Sequence, residues 1–175
     1  MQITKAKQDS ARTIVGTTNP LAAPRLMKVV VSVGTGSAMK KDREKNNVIA
    51  DRLAKITGQK PSLRLAKQSV AQFKIRQGDP IGLMVTLRGA RMLHFVDKLI
   101  HIALPRTKDF RGLDKKSVDA IGNMSIGIKE HTIFPETADE DLRDVFGLSI
   151  TLVSSAKDKA SATAFFEHIG IPFKK

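Results

Sequence analysis

Three sets of residues in this 175-residue chain have types and spacing that could do chemistry. The first is a glycine turn. At 28–41 the chain reads KVVVSVGTGSAMKK, a β-branched run, then Gly34-Thr35-Gly36-Ser37, then lysines, which suggests a strand, a phosphate-cradling loop and a helix. A dinucleotide fingerprint needs a third glycine where this chain has Met39, and a Walker loop needs Gly-Lys-Ser or Gly-Lys-Thr, which occurs nowhere. The turn therefore predicts backbone N–H groups open to a phosphate of RNA rather than to a nucleotide cofactor, the plainer reading being a tight turn with positive φ. The second set is four histidines. His94 and His101 stand seven apart on a helical pattern, too far for an i, i+4 chelate, and with His131 and His168 on other elements they read as surface side chains. The third is the acidic run at 136–144, which lies among polar residues without an apolar pocket to raise a carboxyl pKa and reads as a solvated turn or helix start. Ser10, Ser37, Ser69 and Ser117 lack the G-x-S-x-G context of a nucleophile. No catalytic residue, metal site or cofactor is expected.

The positive charge, in contrast, is organised. Thirty Lys and Arg against seventeen Asp and Glu give a formal charge of +13, suited to a polyanion. Lys60, Arg64, Lys67, Lys74, Arg76, Arg88 and Arg91 share their stretch with one acid, Asp79, while Arg106, Lys108, Arg111, Lys115 and Lys116 crowd a second long segment. Nucleic acid is the expected partner. With no Trp or Tyr and no aromatic in the first or third strand pattern, base stacking is not the expected mode, and contact with a folded RNA through backbone, 2′-hydroxyl and shape is favoured. Phe73 is the exception, either a loop anchor or an apolar tip touching a nucleotide. No apolar run approaches a bilayer span and the N-terminus lacks a signal-peptide core, so a cytoplasmic protein without a membrane partner is expected. The absence of cysteine excludes disulfides and thiolate zinc sites.

These residues need elements to position them. Residues 1–23 show no sustained periodicity and read as a flexible basic arm, leaving 24–175 as a single domain. Strands are expected at 28–34, 62–66, 81–87, 124–129 and 148–154 from β-branched runs and period-two alternation. Helices are expected from about 41 or 42 to Gly58, with Val48, Ile49, Leu53 and Ile56 inward; over 92–103, with Met92, Phe95, Val96, Leu99, Ile100 and Ala103 inward and Pro105 as the stop; and over 158–168. That order predicts an α+β, two-layer fold: a mainly antiparallel five-stranded sheet with helices, on the split βαβ plan, carrying long basic loops.

Several strings then carry a resemblance. GQKPSLRLAKQSVAQFKIRQGDPIGLMVTLRG, LPRTKDFRGL, GNMSIGIKEHTIFPE and the ending GIPFKK resemble, in order, the bacterial large-subunit ribosomal proteins of the L five family, from about residue 24 to the end. The resemblance implies a structural, non-catalytic, ribosome-bound protein of the central protuberance, with 5S rRNA and large-subunit rRNA as partners and no homo-oligomer. By motif match, 5S rRNA contact falls to Ser32, Gly34, Gly36, Gln59, Lys60, Thr86 and Arg88. A protruding loop reaching peptidyl-site tRNA would comprise Lys67, Ser69, Phe73, Lys74, Arg76, Gln77 and Gly78. An intersubunit bridge to a small-subunit head protein would use Phe110, Arg111, Gly112, Lys115, Lys116 and Asn123. The chain departs from the family at Ser32, where an Asn is usual, at Ile121 and Met124, which replace a charge and an aromatic, and at Gln68 and Gln72. Two other classes compete with this reading: a nucleotide-dependent enzyme acting on RNA, and a basic module docking an acidic protein.

Overall fold

A computed structural model describes residues 19, 22–36, 44–137 and 145–174. Nearly all of the expected arm at 1–23, the expected helix start at 41 or 42 and most of the acidic run lie outside the described residues. Five strands, β1 (Leu26–Gly34), β2 (Ser62–Leu65), β3 (Pro80–Leu87), β4 (Met124–Ile128) and β5 (Leu148–Ser154), form one antiparallel sheet in the order β2-β3-β1-β5-β4. Helix α1 (Glu44–Thr57) links β1 to β2, and β3 lies between those two strands, which is the split βαβ arrangement. Helices α2 (Gly89–Lys98) and α3 (Lys159–Ile169) complete the α+β fold.

The β-branched run of β1 has its physical reason in that order. Val29, Val31 and Val33 are fully or almost fully buried, while Lys28, Val30 and Ser32 between them are half-buried in the central strand. Contacts gather into two compact units whose limits fall within β1, β3, β4 and β5: one takes the described residues up to Val30, Thr86–Ile126 and those from Ile150 onward, the other Val31–Val85 and Gly127–Ser149.

In the second unit α1 buries Ile49, Leu53 and Ile56, spaced four and three apart on one stripe. Val48 is 37% exposed, contrary to expectation, because it lies about 100° around the helix from Ile49. In the first unit α2 buries Met92, Phe95 and Val96 and runs on into a π turn, Leu99–Ala103, which buries the other three expected residues and in which the Leu104 N–H reaches back to Leu99 O at 2.9 Å just ahead of Pro105. Helix α3 is capped at both ends. The Asp158 carboxylate accepts from the Ser161 N–H at 3.4 Å, and Gly170, at φ 109°, turns the chain so that the Ile171 N–H reaches Phe166 O at 3.0 Å.

The chain beyond α3 is tied back within the first unit. The Leu113 N–H donates to Pro172 O at 2.8 Å and the Lys174 N–H to Leu113 O at 2.9 Å. Gly112, at φ 95°, permits this approach, since a Cβ there would stand 2.8 Å from backbone atoms of Phe173 and Lys174. Gly112→Ala combines a left-handed backbone penalty with that overlap and should lower unfolding free energy by about 2–4 kcal/mol. Urea unfolding reads this directly. An unchanged midpoint would contradict the seating of residues 172–174 against this loop.

Candidate nucleic-acid interface

In the second unit the strands present a small-residue face. β1 alternates Val31 and Val33 inward with Ser32 and Gly34 outward. Across the β2–β3 pair Ser62 faces Met84 and Arg64 faces Gly82, and the Ser62 hydroxyl donates to Met84 O at 3.0 Å. Gly82 has no room for a side chain, because a Cβ would lie 2.9 Å from Val33 O. Gly34 differs: it is exposed and nothing lies within 4 Å of where its Cβ would be. Glycine and serine therefore leave this stretch of β1, β2 and β3 without aromatic cover and with half-buried Met84 as its bulky apolar side chain, so that a polyanion backbone could approach the strands beside it closely.

The turn after β1 corrects an expectation. Neither Gly34 nor Gly36 has positive φ; among the described residues the left-handed glycines are Gly58, Gly78, Gly89, Gly112, Gly122 and Gly170. The turn is held instead by the Thr35 N–H, which donates to Ile81 O at 2.9 Å, and by burial of the Thr35 side chain, whose hydroxyl has no hydrogen-bond partner among the described residues. Beyond α1, Gly58 supplies the left-handed residue, at φ 67°, with its N–H on Ala54 O at 2.8 Å. The Thr57 hydroxyl lies 2.7 Å from Leu53 O and 3.1 Å from Gln59 O, bracing the turn that leads past half-buried Gln59 to exposed Lys60. Lys60 and Arg64, both exposed, stand four residues apart on the approach to and within β2. Sequence reasoning placed Ser32, Gly34, Gly36, Gln59 and Lys60 here and counted Arg64 in the basic stretch, but did not single out Ser62 and Gly82, whose signal was the alternation of small or polar residues with Leu63 and Leu83.

The segment between β2 and β3 is a knit finger. At its base the Ala66 N–H donates to Asp79 O at 2.8 Å and the Gly78 N–H to Ala66 O at 3.0 Å. Higher up, the Gln77 N–H donates to the Ser69 hydroxyl at 2.9 Å and the Arg76 N–H to an Asp79 carboxylate oxygen at 2.7 Å. Val70 and Ile75 bond reciprocally, and a single 3-10 turn, Ala71–Phe73, closes into Lys74 at φ 51°. The tip carries Phe73, 58% exposed, beside exposed Lys74, so Phe73 is an apolar tip and not an anchor folded onto the core. Lys67, Gln68, Gln72, Arg76, Gln77 and Gly78 are also exposed.

The remaining expected site residues belong to the first unit. Thr86 is half-buried in β3, and Arg88 is exposed just before α2. In the second basic segment Phe110 is half-buried and Arg111 and Lys116 are exposed, while the Lys115 ammonium meets a Glu167 carboxylate oxygen at 2.8 Å and stands 6.0 Å from the Phe173 ring centre. Asn123 is held inside its own turn, with Nδ2 3.1 Å from an Asp119 carboxylate oxygen. The same carboxylate accepts N–H bonds from Asn123 at 2.7 Å and Ile121 at 3.0 Å. The Asn123 N–H, foremost among these donors, holds the Asp119 carboxyl below its ordinary 3.8. A depressed pKa in the folded state means that this turn is fully braced above pH 3.8 and loosens as pH falls through the lower folded value. In an NMR titration the Ile121 and Asn123 amide resonances should move together with a midpoint below 3.8; separate midpoints would break the link. Met124 is fully buried, so this departure from the family fills the interior of the first unit instead of facing a partner.

The histidines divide differently than expected. His94 and His101 are exposed and His168 is half-buried, but His131 is wholly buried in the second unit, stacked on Phe146 with ring centres 4.1 Å apart. Its Nδ1 accepts from the Phe146 N–H at 3.3 Å. A single histidine between polar residues gives no periodic signal of burial, which is why the sequence did not reveal it. Among the described residues no group of three or more His, Asp or Glu side chains could hold a metal, and no helix is long and apolar enough to cross a membrane.

Comparison with known proteins decides the family. A model described as ribosomal protein L5 matches residues 19–76, and a second, describing the C-terminus of the same ribosomal family, matches residues 80–173. The chain belongs to the ribosomal protein L5 family. It is 48% identical over 157 residues to the large ribosomal subunit protein uL5 of Halothermothrix orenii, covering 90% of this chain and 87% of that one. It is 45% identical over 161 residues to the protein of the same name from Sulfurimonas denitrificans, covering 92% and 88%, and 44% identical over 161 residues to that of Anaeromyxobacter sp. strain K, covering 92% and 89%. As an L5 family member the chain is a structural, non-enzymatic and RNA-binding constituent of the large ribosomal subunit, ribosome-bound in the cytoplasm.

Proposed function

We propose that this L5 family protein binds 5S rRNA and helps attach it to the large-subunit rRNA in the central protuberance, with residues 24–175 acting as one RNA-binding domain behind a basic arm at 1–23. The observation that carries this reading is the small-residue face of the second unit: Ser32, Gly34, Ser62 and Gly82 offer little steric bulk, with exposed Lys60 and Arg64 on the same strand and its approach. A flat, hydroxyl-bearing surface with cations suits the shallow groove and sugar-phosphate edge of an RNA helix, not splayed bases. Thr86 and Arg88 of the first unit supply further contacts to the same RNA. The finger carrying Phe73 and Lys74 reaches peptidyl-site tRNA, and the loop from Phe110 to Asn123 meets a head protein of the small subunit.

Titration of the purified protein with 5S rRNA at two salt concentrations, with an unrelated tRNA as competitor, tests the first of these. Binding should be specific for 5S rRNA and weaken with salt. Equal affinity for both RNAs would refute it, since a salt dependence by itself reports only charge.

A further inference from the structure

Strand β2 ends the sheet: the order β2-β3-β1-β5-β4 gives it β3 on one flank and no described strand on the other. All four of its residues are exposed. Leu63 stands opposite Leu83, yet Leu83 is 4% exposed and Leu63 50%, and Leu65, two residues on, is 52% exposed. Strand β3 therefore covers one side of this leucine row and leaves the other to solvent. No backbone hydrogen bond outside the β2–β3 ladder joins 62–65 to another described residue, so the outer N–H and C=O groups of β2 are those of an unpaired edge.

The chain along this edge is cationic. Residues 59–78 include Lys60, Arg64, Lys67, Lys74 and Arg76 and no Asp or Glu, and Lys60, Arg64 and Lys67 are exposed within β2 or beside it. In the same unit the Asp79 carboxylate takes the Arg76 N–H at 2.7 Å at the base of the finger, and Asp51 on α1 is paired with Lys55 at 3.1 Å. Along the strand Leu63 and Leu65 alternate with Ser62 and Arg64, and the register with β3 shifts only after Arg64.

We propose that the outer edge of β2 takes an extended segment of a partner protein as an added strand, apolar where it lies beside Leu63 and Leu65 and acidic where it lies beside Ser62 and Arg64. Edge pairing supplies main-chain hydrogen bonds, and the two alternating rows supply the selectivity. RNA gains little from two aliphatic side chains, whereas an apolar row on a partner strand removes them from water. A second copy of the chain would bring another +13 charge and another Arg64 to the same edge, so charge favours an acidic partner over self-pairing. This docking does not depend on which RNA the strand face binds.

The probe is a fluorescent peptide of about ten residues alternating Val and Glu, titrated against the full chain by anisotropy and located by NMR amide exchange. It should bind about tenfold tighter than a peptide of the same composition with Val and Glu in separate blocks, and about tenfold tighter than the alternating peptide N-methylated at every residue, which cannot donate to an edge. Bound peptide should slow exchange at the amides of 62–65. Leu63→Asn together with Leu65→Asn should lower the affinity about tenfold and Arg64→Glu about fivefold. The methylated peptide meets the unaltered chain, so a folding defect in a variant does not decide the outcome. Equal binding of the block peptide would reduce the contact to charge and overturn the proposal, as would slowed exchange elsewhere but not at 62–65. Exchange at 62–65 that slows with protein concentration alone would make a second copy the occupant. Weaker 5S rRNA binding by the double leucine variant, at an unchanged urea midpoint, would give the edge to RNA; either result overturns the proposal.

Discussion

Reversing two charges, Lys60→Glu together with Arg64→Glu, should weaken binding to 5S rRNA about a hundredfold at moderate salt while leaving thermal stability within about 1 kcal/mol of the parent. Both side chains are exposed and neither packs in a core; Lys60 precedes β2 and Arg64 lies within it opposite Gly82, near the outward Ser32, Gly34 and Ser62. Replacing a cation by an anion removes one phosphate contact and adds a repulsion, so the loss exceeds that of two alanine substitutions. The dependence of log K on log salt should become shallower by about two units if each residue meets one phosphate. Filter binding across four salt concentrations separates this from a generic effect. A parallel downward shift with an unchanged slope would mean that neither side chain meets phosphate.

Deleting residues 70–76 should have the opposite profile. The finger can be shortened without opening its base, because Ala66 stays paired with Asp79 and Gly78 and the Gln77 N–H stays beside the Ser69 hydroxyl, the two residues to be joined. The deletion removes exposed Val70, Phe73, Lys74 and Arg76 and touches none of the strands. Affinity for 5S rRNA should remain within about twofold, whereas binding of peptidyl-site tRNA to ribosomes carrying the variant should fall about tenfold, the effect of removing an apolar tip and its adjacent cations. Equal losses in the two assays would show that finger and strand face are not separate sites.

Much of the architecture could be read from local pattern. The alternation at 81–87, the apolar spacing at 92–103 and the amphipathic segment at 158–168 are short-range signals, and they return as β3, α2 with its π turn, and α3. The failures are places where a distant partner decides. Nothing near Gly82 in sequence announces the Val33 carbonyl that excludes a side chain there, and nothing near His131 announces Phe146, fifteen residues on. The positive φ expected of Gly34 and Gly36 is absent, and it is the hydrogen bond from Thr35 to Ile81 that fastens their turn. Among site residues, the exposed cations were legible because composition already isolates them. The hydroxyl and glycine positions of β2 and β3 were not, since a small residue reads alike whether it faces solvent, a neighbouring strand or RNA.

Ser32 belongs to that second kind. It is half-buried on central strand β1, next but one to exposed Gly34, and a serine there gives one hydroxyl where the family resemblance implies an amide. On β2 the Ser62 hydroxyl already donates to Met84 O, so it is left chiefly as an acceptor for a ribose 2′-hydroxyl. The contact proposed with 5S rRNA is therefore one of close approach and sugar recognition, with the directional charge supplied from Lys60 and Arg64.

Because the chain contains no cysteine, a single one introduced by Lys60→Cys is a unique attachment point for an iron chelate. Hydroxyl radicals generated from it in assembled large subunits report which RNA lies beside the turn between α1 and β2. Strand breaks in 5S rRNA, abolished when the protein carries no chelate, are the predicted result. Breaks confined to other RNA, with 5S rRNA intact, would contradict the assignment of this face.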